Sequence, residues 1–237
     1  LVRQISKEFK IPFVIHMMDD WPNVLYKKGI FNSLRRKKMQ SELKEAIDEA
    51  AECLAICPAM AREYEKRYGR AFLAFQNALD AKDWLKKARN DWKRASPFKM
   101  IYGGALMHNS QVESVRDACD AVEILFKKGL DIRFDIYAPW YAAQRYRAEL
   151  ERKPCVRVFD APETMDIESV FAKADLLLLP VNFDGNTVEY VKYSMPNKIP
   201  AYMFSGTPTL AYGHAAVESI KYAKEWAYCV TAKDKTI

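Results

Sequence analysis

The stretch DIRFDIYAPWYAAQRYRAELERKPCVRVFD, residues 131–160, reads as a strand, a helix and a second strand. DIRFDIYA (131–138) and CVRVFD (155–160) have the apolar, β-branched composition of buried strands, whereas YAAQRYRAEL (141–150) has helical spacing. A helix that connects two strands is typical of a parallel sheet. The stretch therefore predicts an α/β fold.

The alternation of strands and helices extends in both directions along the chain. We predict the strand FKMIYGG (98–104) before this stretch and the strands DLLLLPV (175–181) and EWAYCVT (225–231) after it, with helices between them. Nearer the N-terminus we predict the strands IPFVIHM (11–17), CLAIC (53–57) and AFLAF (71–75), separated by the helices 33–51 and 59–69.

Two such series predict two Rossmann-like domains, each with a parallel sheet covered by helices. We assign residues 1–76 to the first domain, the polar stretch 77–97 to a linker and residues 98–237 to the second domain. The first series has three strands and the second about six. We therefore expect the first domain to be incomplete on its N-terminal side.

The composition narrows the class of protein. The chain has 237 residues, 50% of them hydrophobic, and a net charge of +6. Its longest apolar run, ADLLLLPV (174–181), is far shorter than the roughly 20 residues of a membrane span. The five cysteines are scattered, without zinc-finger spacing, and the chain opens on Leu1 without a signal-like apolar segment. These features predict reduced thiols and a cytoplasmic location.

Four consecutive cations, Arg35, Arg36, Lys37 and Lys38, lie near the start of a predicted helix. One interpretation is a solvated helix face, and the other is attraction to an anionic surface such as lipid headgroups at the inner face of the membrane. Recognition-helix and RNA-binding signatures are missing from the sequence, so we expect no nucleic-acid partner.

A candidate ligand site lies in SMPNKIPAYMFSGTPTLAYG, residues 194–213. A helix is predicted to start near Lys198, with Pro200 in its first turn and Gly206 just after its end. The amino end of a helix has unpaired amide donors and about half a positive charge. With Lys198 beside it, this end could hold a diphosphate without a metal, although Lys198 could also be an ordinary solvated lysine.

Several ordered motifs carry a resemblance to a known family. The segment ADLLLLP, the segment DDWPN and the pattern around residue 198 occur in family order along nearly the whole chain. The matching positions of the last two motifs are Asp19, Trp21, Pro22, Ser194, Pro196, Lys198, Tyr202, Gly206 and Pro208. The sequence resembles family 4-like glycosyltransferases of the GT-B fold.

The resemblance implies transfer of a sugar from a nucleotide-sugar donor to a glycan or lipid-linked acceptor, with retention and without a cofactor or metal. It places the donor on residues 98–237 and the acceptor on residues 1–76. The implied donor-binding residues are Lys198, Ser194, Asn197, Glu189 and His214, with Asp184 and Asn186 as further candidates for sugar hydroxyls. Asp19 and His16 are the candidate catalytic residues on the acceptor side, with Asp20 as the alternative to Asp19 and packing as the alternative role of His16.

The chain also departs from the family pattern. Ala201 and Tyr193 occupy positions where many relatives have glutamate, and the loop ALMHNSQVE (105–113) offers His108 and Asn109 where a basic pair is usual. These departures leave open a second function, that of a non-catalytic nucleotide- or partner-binding protein.

Overall fold

The structure is a computed structural model that describes residues 1–27, 29–93, 96–161 and 166–233. The chain divides into two compact units. The first unit contains Leu1–Asn77, Glu189–Met195 and Val217–Ser219, and the second contains the remaining described residues from Ala78 onwards. Each unit is an α/β structure with its own parallel sheet, so the predicted fold class is confirmed.

The first unit has the predicted three strands, and they form a parallel sheet in sequence order. Its elements in chain order are α1 (Val2–Phe9), β1 (Val14–Met17), α2 (Trp21–Val24), α3 (Ile30–Glu49), β2 (Glu52–Ala55), α4 (Pro58–Tyr68) and β3 (Leu73–Ala74). Val14 pairs with Glu52, and Leu54 pairs with Leu73.

The core of the first unit lies between this sheet and the helices α3 and α4. Ile47, Met60 and Tyr64 are fully buried there. Tyr193 and Met195 pack against the same core, although they are distant in sequence. The sequence assigned the whole of 98–237 to the second domain, whereas this packing groups residues 189–195 with the first unit.

The second unit has a six-stranded parallel sheet in the order β6-β5-β4-β7-β8-β9. Its elements are α5 (Ala81–Lys87), β4 (Phe98–Gly103), α6 (Val112–Lys127), β5 (Ile132–Ala138), α7 (Trp140–Leu150), β6 (Val156–Asp160), α8 (Ile167–Ala172), β7 (Leu176–Pro180), α10 (Lys198–Ser205), β8 (Thr209–Tyr212), α11 (Glu218–Ala223) and β9 (Tyr228–Val230). Helix α9 (Gly185–Val191) precedes α10, and its last three residues belong to the first unit.

Strand β4 lies at the point where the strand order reverses. It pairs with β5 on one side and with β7 on the other, and β5 and β7 both follow it in sequence. In open parallel sheets, the crevice at the carboxyl ends of such strands is the usual ligand-binding position. The loops after β4 and β7 are therefore the positions in this unit where a ligand site is expected.

Helix α9 lies in a polar stretch after β7 for which the sequence predicted no helix. Asp184 explains the helix, since its carboxylate accepts a hydrogen bond from the Thr187 amide at 2.9 Å. Aspartate is a favoured N-cap, and it compensates for the weak helix propensity of the glycine and asparagine that follow it.

Candidate functional site

Lys198 is the first residue of α10, as the sequence predicted. Asn197 precedes the helix at the N-cap position, and Gly206 ends it in the left-handed conformation with φ of 68°. The first-turn amides of this eight-residue helix have no side-chain cap. Pro200 has no amide N–H, and the Ile199 amide donates to the Pro196 carbonyl at 3.1 Å, which leaves the Lys198 amide as a donor for a ligand. The helix dipole favours an anion at this end.

The Lys198 ammonium is directed onto the end of strand β4. Its Nζ donates a hydrogen bond to the Tyr102 hydroxyl at 3.0 Å and lies 4.2 Å from the centre of the Tyr102 ring. The Tyr102 hydroxyl in turn donates to the Ala105 carbonyl at 2.5 Å. Within the described residues, no carboxylate forms a salt bridge with Lys198. Burial, with no opposing negative charge, lowers the pKa of Lys198 to about 7.

Gly104 makes this approach of Lys198 possible. Its φ is +144°, a conformation that residues with a side chain rarely adopt. A Cβ atom at Gly104 would lie 2.6 Å from Lys198 Nζ and 3.2 Å from the Tyr102 hydroxyl. The glycine therefore keeps the space in which the ammonium sits at the end of β4.

The loop between β4 and α6 is fixed by buried hydrogen bonds from Asn182, which follows β7. The Asn182 carboxamide accepts a hydrogen bond from the Ser114 amide at 3.1 Å and donates one to the His108 carbonyl at 2.8 Å. The Asn182 side chain is fully buried. The imidazole of His108 lies outside this network, 3.3 Å from Glu113.

Tyr202 connects α10 to the strands beneath it. Its hydroxyl accepts a hydrogen bond from the Gly103 amide at 3.2 Å and donates one to the Leu178 carbonyl at 3.1 Å. Both Tyr202 and Ala201 are buried. The position at which many relatives carry a glutamate therefore holds a buried methyl group in this chain.

The two aspartates of the DDWPN motif have different environments in the first unit. Asp20 is buried and accepts two hydrogen bonds from the Arg67 guanidinium, at 2.7 and 2.9 Å, and one from the Tyr64 hydroxyl at 3.0 Å. Asp20 is therefore structural. Asp19 is half-buried and accepts a short hydrogen bond from the Ser194 hydroxyl. Only Asp19 is placed to contact a ligand.

His16 lies on β1 and is oriented by a neighbouring strand end. Its Nε2 is 2.9 Å from the Phe75 carbonyl, and the two rings pack edge to face. A carbonyl can only accept, so Nε2 carries the proton and Nδ1 is the acceptor of this imidazole. His16 therefore packs against Phe75 and is also held in the tautomer that has its proton on Nε2.

The remaining predicted donor residues fall in different places. Ser194 and Glu189 belong to the first unit, where Ser194 contacts Asp19 and Glu189 forms a short ion pair with Lys27. His214 follows β8 in the second unit, is exposed, and accepts a hydrogen bond from the Ala216 amide at 3.1 Å through Nδ1. Asp184 caps α9, as described above. The assignment of these residues to donor binding stays a prediction.

Tyr102, Gly104 and Asn182 are site residues that the sequence analysis missed. The double glycine after a buried strand is the signal that could have identified Gly104, because glycine there permits close approach of a ligand or side chain. Tyr102 and Asn182 have no comparable local signal, since their partners lie 96 and 74 residues away.

The described ranges contain no group of three or more His, Cys, Asp or Glu side chains arranged to hold a metal ion. Over the same residues, no helix has both the length and the apolar character needed to cross a bilayer.

No family model matches the sequence, and no curated protein matches it. Solved structures do match the fold. The pneumococcal O-GlcNAc transferase GtfA, in complex with UDP and GlcNAc, matches 100% of this chain and 45% of its own with a TM-score of 0.60 and 10% identity. WaaG, a glycosyltransferase involved in lipopolysaccharide biosynthesis, matches 97% of this chain and 67% of its own, with a TM-score of 0.61 and 13% identity.

A UDP-forming α,α-trehalose-phosphate synthase from Burkholderia vietnamiensis gives a TM-score of 0.62 at 13% identity, over 96% of this chain and 58% of its own. The chain has the GT-B fold. It spans between 45% and 67% of the length of these three structures. In this GT-B chain, the amino end of α10, Gly104 and Tyr102 lie together at the carboxyl end of β4.

Proposed function

We propose that the chain is part of a glycosyltransferase that moves a sugar from a nucleotide-sugar donor to a glycan or lipid-linked acceptor. The observation that carries the proposal is the environment of Lys198. Its ammonium has a hydroxyl for a partner and belongs to the first residue of helix α10. This arrangement suits a diphosphate better than it suits an unliganded lysine.

The chemistry follows from the charge that appears when the sugar–phosphate bond breaks. The leaving nucleoside diphosphate gains negative charge, and preorganised donors lower the energy of that state. Lys198 supplies a full charge, and the α10 amides supply a dipole. Because the pKa of Lys198 is about 7 in the free protein, an arriving diphosphate would favour the protonated form and draw a proton from solvent. A transfer of this kind, with retention, needs no metal ion.

The first unit would bind the acceptor. Asp19 has one carboxylate oxygen bonded to Ser194, which leaves the other oxygen to accept a hydrogen bond from an acceptor hydroxyl. His16 has Nδ1 as a second acceptor on the same unit. These two residues are proposed to orient the acceptor hydroxyl and take up its proton.

Asn197, Ser194, Glu189 and His214 are proposed as further donor contacts. The Ala216 amide occupies Nδ1 of His214, so the proton of the neutral imidazole lies on Nε2, which can donate to a phosphate or sugar oxygen. Asn197 is the N-cap residue directly before α10.

The cysteines support a cytoplasmic location. All five are unpaired, and four are buried. Burial raises the pKa of their thiols, to about 12 for Cys119, so they stay protonated and unreactive at neutral pH.

A non-catalytic nucleotide-binding protein is the second candidate function. The buried methyl group of Ala201 favours it, because no carboxylate is available at that position of α10. The loop 105–111 likewise offers His108 rather than an arginine or lysine to the donor phosphates.

Binding and turnover measured side by side distinguish the two functions. UDP-glucose and ADP-glucose are suitable probes, with calorimetry for binding and release of free nucleoside diphosphate for turnover. We expect binding and slow donor hydrolysis by the wild type. Lys198→Met should bind about 10- to 150-fold more weakly and lose hydrolysis, and Lys128→Met, which removes an exposed lysine elsewhere in the second unit, should change neither. Binding without turnover, with a panel of acceptors present, would establish the non-catalytic function instead.

A further inference from the structure

We propose that the first unit binds the face of an anionic lipid bilayer through one surface of α2 and α3. This α2–α3 surface consists of Leu25, Tyr26, Phe31, Leu34, Arg35 and Lys38. It takes no part in the donor site, so it can be tested separately from the proposed sugar transfer.

The first observation is the exposure of apolar side chains. Phe31 is 83% exposed and Leu34 is 65% exposed. Leu25 and Tyr26, in the turn that follows α2, are 43% and 40% exposed. Single exposed apolar residues are common, but four within ten residues form a patch that the core of the unit leaves uncovered.

The second observation is the position of the cations. Phe31, Leu34, Arg35 and Lys38 are separated by three or four residues, so they share one face of α3. Arg35 and Lys38 also form one wall of an open groove of about 390 Å³, with Trp21, Leu25 and Tyr26 opposite. Glu42 also lines the groove, 3.8 Å from Lys38, and compensates only part of its charge.

The third observation is how the charge is distributed along α3. The second half of the helix is acidic, and two of its carboxylates, Glu45 and Glu49, are bound by Arg3. The first half has four consecutive cations, of which Arg36 is used internally, since it donates to the Asn23 carbonyl at 3.1 Å. Arg35, Lys37 and Lys38 are exposed and project from the same end of the helix as the apolar patch.

An anionic bilayer fits both parts of this surface. Each lysine or arginine near anionic headgroups contributes about 1 kcal/mol, and apolar side chains gain by entering the boundary between headgroups and acyl chains. A soluble anion such as a phosphate ester would satisfy Arg35 and Lys38 but not Phe31 and Leu34. A nucleic acid would likewise leave the side chains of Phe31 and Leu34 in water.

Vesicle flotation tests the proposal with the full chain. Vesicles of phosphatidylcholine alone are compared with vesicles that contain 30% phosphatidylglycerol, at low and high salt. The variants are Phe31→Ser with Leu34→Ser, and Arg35→Ser with Lys38→Ser. The control is Leu85→Ser with Lys86→Ser, which removes an exposed leucine and an exposed lysine from α5 of the second unit.

We expect binding to the anionic vesicles only, and weaker binding at high salt because the surface charges are screened. Removal of Arg35 and Lys38 should reduce the partition coefficient about 30-fold, which is two cations at about 1 kcal/mol each. Removal of Phe31 and Leu34 should reduce it at least tenfold, and the α5 control should leave it unchanged. Far-UV circular dichroism verifies that each variant is folded.

Three results would overturn the proposal. They are equal binding to neutral and anionic vesicles, no change in the Phe31 and Leu34 variant, and binding of glycerol 3-phosphate or RNA to Arg35 and Lys38 without any vesicle binding. Donor binding by calorimetry should be the same in all these variants, so failure here leaves the proposed sugar transfer standing.

Discussion

Lys198 gives the sharpest prediction, because the proposed function gives it a ligand and its burial gives it an unusual pKa. The free protein holds the ammonium with a pKa of about 7, whereas a bound diphosphate should restore a value well above 8. Nucleotide-sugar binding should then take up about half a proton at pH 7 and about 0.9 at pH 8. Calorimetry in buffers of different ionisation enthalpy measures this uptake directly.

The same linkage fixes the pH dependence of affinity. If only the charged lysine binds, the dissociation constant rises about tenfold per pH unit above pH 7 and is roughly 90-fold higher at pH 9 than at pH 6. A nucleotide-sugar is the right probe, because its diphosphate does not titrate between these values. Lys198→Met should weaken binding by about 10- to 150-fold at pH 6, the loss of one charge-assisted hydrogen bond of about 1.5–3 kcal/mol. Its affinity should not vary with pH.

Stability supplies a second readout for the same substitution. In the unfolded chain Lys198 is protonated below its ordinary pKa of 10.5, and in the folded chain only below about 7. The folded state therefore loses stability as pH falls from 10.5 to 7, by at most about 5 kcal/mol. Methionine does not titrate, so Lys198→Met keeps its stability as pH falls. Its urea unfolding midpoint should be higher than that of the wild type at pH 7, and the difference between the two midpoints should decrease towards pH 10. Lys128→Met is the control.

The reasoning fails if wild-type affinity is flat between pH 6 and 9 while Lys198→Met binds equally well. It also fails if binding takes up no proton in any buffer. Loss of binding together with loss of stability in Lys198→Met would show instead that the lysine serves the fold.

Three further predictions concern the supports of the site. Gly104→Ala should lower nucleotide-sugar affinity at least tenfold, since its Cβ would displace the Lys198 ammonium, and calorimetry measures this. Asn182→Ala should lower the free energy of unfolding, measured in urea, by about 1–3 kcal/mol, because the buried Ser114 amide loses its hydrogen-bond acceptor. Asn182→Asp keeps an acceptor oxygen and should recover part of that loss. Arg67→Ala should cost about 3–5 kcal/mol by leaving Asp20 buried and unpaired, whereas Lys66→Ala, one residue away and exposed, should have little effect on the unfolding midpoint.

The fold was largely predictable from local sequence signals. Buried strands such as DIRFDIYA and DLLLLPV are apolar enough to identify directly, and Gly206 marks the end of α10 because its left-handed conformation suits glycine. Helix α9 was missed because Gly185 and Asn186 are weak helix formers, although Asp184 with Thr187 three residues later is an N-cap signal.

The site was predictable only in part. Lys198 follows from its position at a helix amino end, which is a local property. The separate roles of Asp19 and Asp20 could not be predicted, because they depend on Ser194 and on Arg67, which are 175 and 47 residues away. The lowered pKa of Lys198 likewise depends on its burial in the folded unit, which no spacing along the chain reveals.

The most direct test of the central claim is a crystal structure of the chain with a nucleoside diphosphate bound. We predict that an oxygen of the diphosphate lies about 2.7–3.2 Å from Lys198 Nζ, at the amino end of α10 and beside Gly104. An ordered diphosphate bound elsewhere on the chain, with Lys198 still donating to the Tyr102 hydroxyl, would contradict the account.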